Sequence, residues 1–194
     1  MKRIIAGKTI LILLIIIASA CVSSDNPLKD VKNFKPDDKY FTASLNNMHF
    51  ILETSEIERV DQEFAKLIKS YGLPISAEGC ADGTFIGESP YDAYDYKHIV
   101  KLTIKNQKII DVDYDEINYD GIGKQNNKEY CEEMSVSGTT PAIAYPVYEN
   151  GLMEKQNMLK VDAVTGATYS LYRFRYAVTV ALMKARLEYV NNLK

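Results

Sequence analysis

The chain has 194 residues, 46% of them apolar and 25% charged, with a formal net charge of −3. That is enough polypeptide for one domain with a sizeable core, and too apolar for intrinsic disorder. The slight acidic balance lacks the clustered Lys and Arg that phosphate backbones require, which argues against nucleic acid as a partner.

Lys2, Arg3 and Lys8 surround the start of a dense apolar run, Thr9 to Ile17, which leads into Ala18-Ser19-Ala20 and Cys21. A positive start, an apolar core shorter than the ~20 residues of a spanning helix, and a small-residue exit define a secretory leader over 1–20. The string IIASAC resembles the lipobox of bacterial lipoproteins, with Ala18 where Leu is more usual. The resemblance implies that Cys21 is acylated and becomes the mature N-terminus, a lipid anchor that holds the protein on the extracytoplasmic face of the cell membrane. At ~0.8 kcal/mol per buried methylene, several acyl chains make such attachment durable. Segment 21–40 is polar, carries Pro27 and Pro36 and shows no period, so it reads as a tether.

Segment 41–79 reads as helical. Phe41 to Glu53 is ambiguous between a short helix and a strand, whereas Ser55-x-x-Glu58 is a capping box. Ile57, Val60, Phe64, Leu67, Ile68 and Tyr71 then recur at helical spacing until Gly72 and Pro74 end the run. From Ile99 to Tyr114 the period changes to two: Val100, Leu102 and Ile104 form one apolar set, and Ile110, Val112 and Tyr114 the next. A two-residue loop at Asn106-Gln107 would pair Leu102 with Asp111 and put these sets on opposite faces, so the pattern predicts a hairpin with an odd-numbered loop.

Beyond the hairpin, Gly121 to Gly138 is polar with a short helix predicted around Lys128 to Met134. Pro141 suits a first helical position, while Pro146 and Gly151 are expected to bend or shorten the helix it starts. Leu171, Phe174, Val178, Leu182, Ala185 and Tyr189 draw an apolar stripe from Ser170 almost to the end, uninterrupted by Gly or Pro. The class is therefore α+β: an antiparallel sheet with a hairpin at about 98–116, packed with helices, and a long C-terminal helix.

Several chemistries lack their residues. Outside the cytoplasm Cys80 and Cys131 could pair, and a disulfide and two free thiols are both open. Neither cysteine sits in a C-x-x-C or C-x-x-C-H string, which leaves haem, iron–sulfur and thioredoxin-like sites without ligands. With His49 and His98 the only histidines, a zinc site is poorly supplied, and no metal is expected. Asp111, Asp113 and Asp115 do not make an EF-hand, which needs Gly at position 116 and Glu at 122; on a strand they line the solvent face. His98, beside Lys97, reads as a surface residue. The Gly-x-Ser-x-Gly elbow of hydrolases is missing, and no catalytic residue is assigned.

The informative segment is Val161 to Ser170, VDAVTGATYS. Gly166 and Ala167 leave room for another group, Thr165 and Thr168 flank them with hydroxyls, and the helix behind points its free N–H groups and positive dipole end at that space. Arg173 and Arg175 stand near the same helix end, where a bound anion would offset them. This is a place for a phosphate; a plain loop with two solvated arginines is the alternative.

The heptad DAVTGAT, Asp162 to Thr168, resembles the flavinylation motif of the FMN-binding domain family, whose members include the FMN-carrying subunits of sodium-pumping NADH:quinone oxidoreductase and of the Rnf complex, and flavinylated surface lipoproteins. ADGTFIGES, Ala81 to Ser89, resembles the opening strand of those domains. The resemblance covers 80–194 and implies covalent FMN, joined through its phosphate to the Thr168 hydroxyl by an extracytoplasmic FMN transferase. Asp162, Thr165, Gly166 and Ala167 are then cofactor-binding, and the role implied is an electron-transfer carrier rather than an enzyme with its own substrate, served by membrane-bound or extracellular redox partners. With 14 tyrosines and no tryptophan, Tyr91, Tyr94 and Tyr96 are candidates to stack on the flavin ring. The competing readings are an interaction lipoprotein or antigen without flavin, and a non-covalent flavin reductase.

Overall fold

A computed structural model describes residues 39–54 and 57–193. The leader, Cys21, most of the tether and Ser55 of the capping box lie outside the described residues. Two helices come first: α1 (Lys39–Glu53), which starts two residues inside the predicted tether, and α2 (Ile57–Tyr71). Three strands follow, β1 (Gly83–Glu88), β2 (Tyr96–Lys105) and β3 (Lys108–Asn118), then α3 (Lys128–Ser135), α4 (Pro141–Lys155) and the 25-residue α5 (Thr168–Asn192). The sheet is antiparallel in the order β1-β2-β3. The fold is α+β, with the long C-terminal helix that the apolar stripe predicts.

One face of the sheet is buried. Phe85, Val100, Leu102, Ile104, Val112 and Tyr114 point inward, and β1 and β2 pack on α5 while β3 packs on α4. Gly87 sets the closeness of that packing: a Cβ there would come within 1.9 Å of the Ala177 carbonyl oxygen of α5. Met48, Ile51 and Leu52 of α1 and Val60, Phe64 and Leu67 of α2 share the same core. At 25 cal/mol per Å² of apolar area removed from water, each such side chain contributes roughly 1.5–3 kcal/mol.

The hairpin solves its register differently from the odd-numbered loop that the alternation predicts. Lys105 pairs with Lys108 across a two-residue turn, Asn106-Gln107, both in the left-handed region at φ 51° and 58°. A bulge then restores the faces: Ile104 pairs with Ile109 but Thr103 pairs with Asp111, so Ile110 is the extra residue and is exposed. Gln156, itself left-handed at the end of α4, holds this point by accepting from the Ile109 N–H and donating to its carbonyl, each at 2.8 Å. Nor is α4 cut short. It runs through Pro146 because the carbonyl that Pro146 leaves unpaired belongs to Ala142, exposed in the first turn. Cys80 and Cys131 are free thiols rather than a disulfide. Cys80 is buried against α5, its thiol near the Leu182 carbonyl, whereas Cys131 sits on α3 against the Lys124 and Gln125 carbonyls.

Candidate functional site

The Val161–Ser170 segment enters α5 along a tightly specified path. Arg175 donates to the carbonyls of Met158, Leu159 and Val161, so the loop before the motif is clamped from the helix that follows it. Gly166 has φ 84°, and a Cβ there would lie 2.5 Å from the Ser137 carbonyl oxygen, which makes glycine a steric requirement. Tyr148 of α4 donates to the Ala167 carbonyl at 2.7 Å. Burial raises the pKa of that phenol to about 12. Thr168 is the first residue of α5 and half-buried, and no side chain caps the helix. Of the residues assigned to the cofactor from sequence, Gly166, Ala167 and Thr168 come together here. Asp162 and Thr165 are exposed, and Asp162 forms an ion pair with Lys155 instead.

A cleft of about 700 Å³ opens beside this helix start, floored by Gly166, Ala167, Tyr169 and Ser170. Tyr94, Tyr96 and Tyr130 line it as well. The Lys124 ammonium sits 4.6 Å from the ring centres of both Tyr96 and Tyr130, a double cation–π contact. Asn127 donates to the Tyr96 hydroxyl at 2.9 Å and fixes that ring. Tyr91 is spent elsewhere, stacked on Tyr119 with centroids 3.9 Å apart.

Behind the cleft lies a buried ionic cluster that the sequence reading missed. Glu116 has no exposed surface, and its carboxylate accepts from Lys124 at 2.6 Å, Arg173 at 3.2 Å, Tyr145 at 2.9 Å and Tyr114 at 3.2 Å. Burial by itself would raise the Glu116 pKa, but Lys124, His98 and Arg173, in that order, outweigh it and hold the carboxyl well below the usual range. The same burial raises the phenols of Tyr114 and Tyr145. Arg173 also reaches Glu53 of α1 at 3.6 Å. Neither arginine is therefore solvated: Arg175 serves the loop and Arg173 the buried acid. His98, expected at the surface, is wholly buried; desolvation lowers its pKa to about 3 and keeps it neutral. Its position was readable, since 98, 100, 102 and 104 share the inward face of β2, and 112, 114 and 116 that of β3. For Lys124 no local pattern gave warning.

Over 97 residues the chain is 33% identical to the 15 kDa lipoprotein of Treponema pallidum (strain Nichols), a match that spans 50% of this chain and 69% of that protein. The chain belongs to the family of that lipoprotein. Among solved structures, the CPE2226 protein of Clostridium perfringens matches with a TM-score of 0.52 and 33% identity, over 55% of this chain and 88% of that one. No family model matches the chain. Membership in this lipoprotein family agrees with the leader and Cys21. Among the described residues no helix is long and apolar enough to cross a membrane.

Proposed function

We propose that this family member is anchored to the membrane through acylated Cys21 on the extracytoplasmic face, and that it carries FMN as a phosphoester of Thr168 and works as an electron-transfer carrier. The observation that carries the reading is a tyrosine-lined cleft large enough for a cofactor at the uncapped start of α5, lined by Gly166 and Ala167 before Thr168 and by Tyr169 and Ser170 after it. The residues present fit the group: Tyr94, Tyr96 and Tyr130 offer aromatic walls, and the helix start offers N–H donors to an ester phosphate, while Gly166 lets the loop pass close against Ser137. Bound there, FMN would supply one- and two-electron chemistry that the side chains lack. The chain's own part is positioning. Arg175 and Tyr148 fix the loop that presents the Thr168 hydroxyl, and Lys124 with Asn127 fixes Tyr96.

The partners on this reading are an FMN transferase, a redox partner in the membrane or outside the cell, and the lipid bilayer. Intact mass of the full chain matured in a host with an FMN transferase tests it. An FMN adduct is expected, absent from Thr168→Ala; an unmodified mass in the unaltered chain would refute the flavin and leave a lipoprotein of interaction type.

A further inference from the structure

We propose that His49, Glu53 and His98 form a binding site for one divalent transition-metal ion of the zinc type, next to the cleft and independent of the flavin reading. His49 and Glu53 are four residues apart on α1 and so share one helix face, and His98 approaches from β2. One ligand atom from each residue lies within 4.8 Å of the other two. Ligands at about 2.0–2.2 Å from a tetrahedral ion stand about 3.4 Å apart, so closing the site takes side-chain adjustment and no backbone rearrangement.

Unmet hydrogen-bonding capacity points to an ion at this place. His98 is wholly buried and neither of its ring nitrogens has a partner; Nδ1 of His49 and Oε1 of Glu53 are also buried without a hydrogen bond. Buried polar atoms are normally satisfied, and several orphans converging on one point call for an explanation. An ion held by two imidazoles and a carboxylate supplies one. The surrounding contacts have the form that metal ligands use. Nε2 of His49 lies 3.3 Å from the Tyr91 carbonyl oxygen, so that N–H donates there and Nδ1 keeps its lone pair. Nδ1 of His98 faces the Glu116 carboxylate at 3.7 Å, beyond hydrogen-bond distance.

The opposing charges nearby are Arg173 and Lys124. Lys124 is committed to Glu116, and Arg173 bonds Glu116 at 3.2 Å and pairs with Glu53 at 3.6 Å without a hydrogen bond, so an ion at this place would share the Glu53 carboxylate with Arg173. Three protein ligands leave a fourth position free, and Glu53 lines the cleft, so a small ligand can reach it from there. Counting histidines alone underestimates the donor set, because a carboxylate one helical turn from His49 completes it.

The test uses the full chain in detergent, with any affinity tag removed so that its own two histidines are the only ones present. Zn²⁺ titrated against a chromophoric chelator is expected to bind one equivalent, with affinity at least 100-fold weaker in His49→Gln and in Glu53→Gln. Circular dichroism reports whether each variant is folded. The Co²⁺ form of the unaltered chain gives a second, mutation-free readout: intense visible bands of four-coordinate Co²⁺ without a thiolate charge-transfer band. Failure to retain Zn²⁺, binding that survives in both folded variants, or a Co²⁺ spectrum showing sulfur or six-coordinate oxygen ligation would overturn the site.

Discussion

Glu116 is the residue whose replacement tests the structure most severely. Its carboxylate is fully buried and accepts from two cations and two phenols, while the Lys124 side chain opposite is only 3% exposed. Glu116→Gln keeps the shape and removes the charge, leaving Lys124 without a counter-ion and Arg173 with only Glu53 at 3.6 Å. Breaking a buried pair from one side costs about 3–5 kcal/mol, roughly a fifth or more of the ~5–15 kcal/mol that holds a domain together. Lys124→Met should cost a comparable amount, because it strands part of the acid. The double variant Glu116→Gln/Lys124→Met removes both charges, so its cost should fall below the sum of the singles by at least ~2 kcal/mol. Urea unfolding at pH 7, followed by circular dichroism, measures all three. Single-variant costs under ~1 kcal/mol, as for a surface pair, or strict additivity in the double, would refute the cluster as described.

The motif loop yields three further expectations. Gly166→Ala should lose about 1–3 kcal/mol of stability, from the positive φ and the approach to Ser137, and should slow flavinylation in the same maturation assay. A melt unchanged from that of the parent would contradict the loop geometry. Tyr148 titrates near 12 when folded against 10 when unfolded, so between those values the unfolded chain has lost a proton that the folded chain keeps. Stability should therefore fall as pH rises from 10 to 12, by about 1.4 kcal/mol per pH unit for this group; Tyr148→Phe should lack that increment in alkaline urea melts. Finally, free FMN added to Thr168→Ala should be held weakly at physiological salt, as read by quenching of flavin fluorescence. Submicromolar retention there would favour the non-covalent flavoprotein.

Period and phase made most of the fold legible. The helix at 57–71 and the hairpin strands follow from apolar spacing because each has one buried face, whereas α5 is legible as a long run without Gly or Pro and is buried nearly all round over 170–186. The turn was misread for a physical reason: alternation requires the apolar sets to meet on one face, and a bulge at Ile110 satisfies that requirement as well as an odd loop does. What separates the two is the bridge from Gln156, 47 residues from Ile109, and a local pattern holds no trace of it. His98 was misplaced, and Glu116 passed over, because polarity was weighted above phase. Both stand at inward positions of their strands and are wholly buried, Glu116 with four hydrogen-bond donors and His98 with none on its ring. Lys124 follows the turn that returns Gly123 beside Ile117 at the end of β3, and that return sets its ammonium against Glu116; no apolar period marks it.

The arginines change what kind of anion site the start of α5 can be. Read from sequence, Arg173 and Arg175 are two cations waiting for a phosphate. In the fold, Arg175 is used up by three carbonyls, and Arg173 is shared between Glu116 and Glu53. The cleft lining carries four carboxylates, Glu53, Asp95, Glu129 and Glu133, against the two cations Lys124 and Arg173. A surplus of positive charge therefore cannot be what draws a flavin phosphate here. Directed N–H groups at an uncapped helix end can still accept one, but each contact of that kind is worth only ~0.3–1 kcal/mol where water and salt screen it. Outside the cell, where a dissociated cofactor is lost by diffusion, such a site would stay empty unless the phosphate were bonded to the chain. On the proposed reading, the Thr168 ester supplies retention, because the two cations of the cleft, Lys124 and Arg173, are already paired with Glu116.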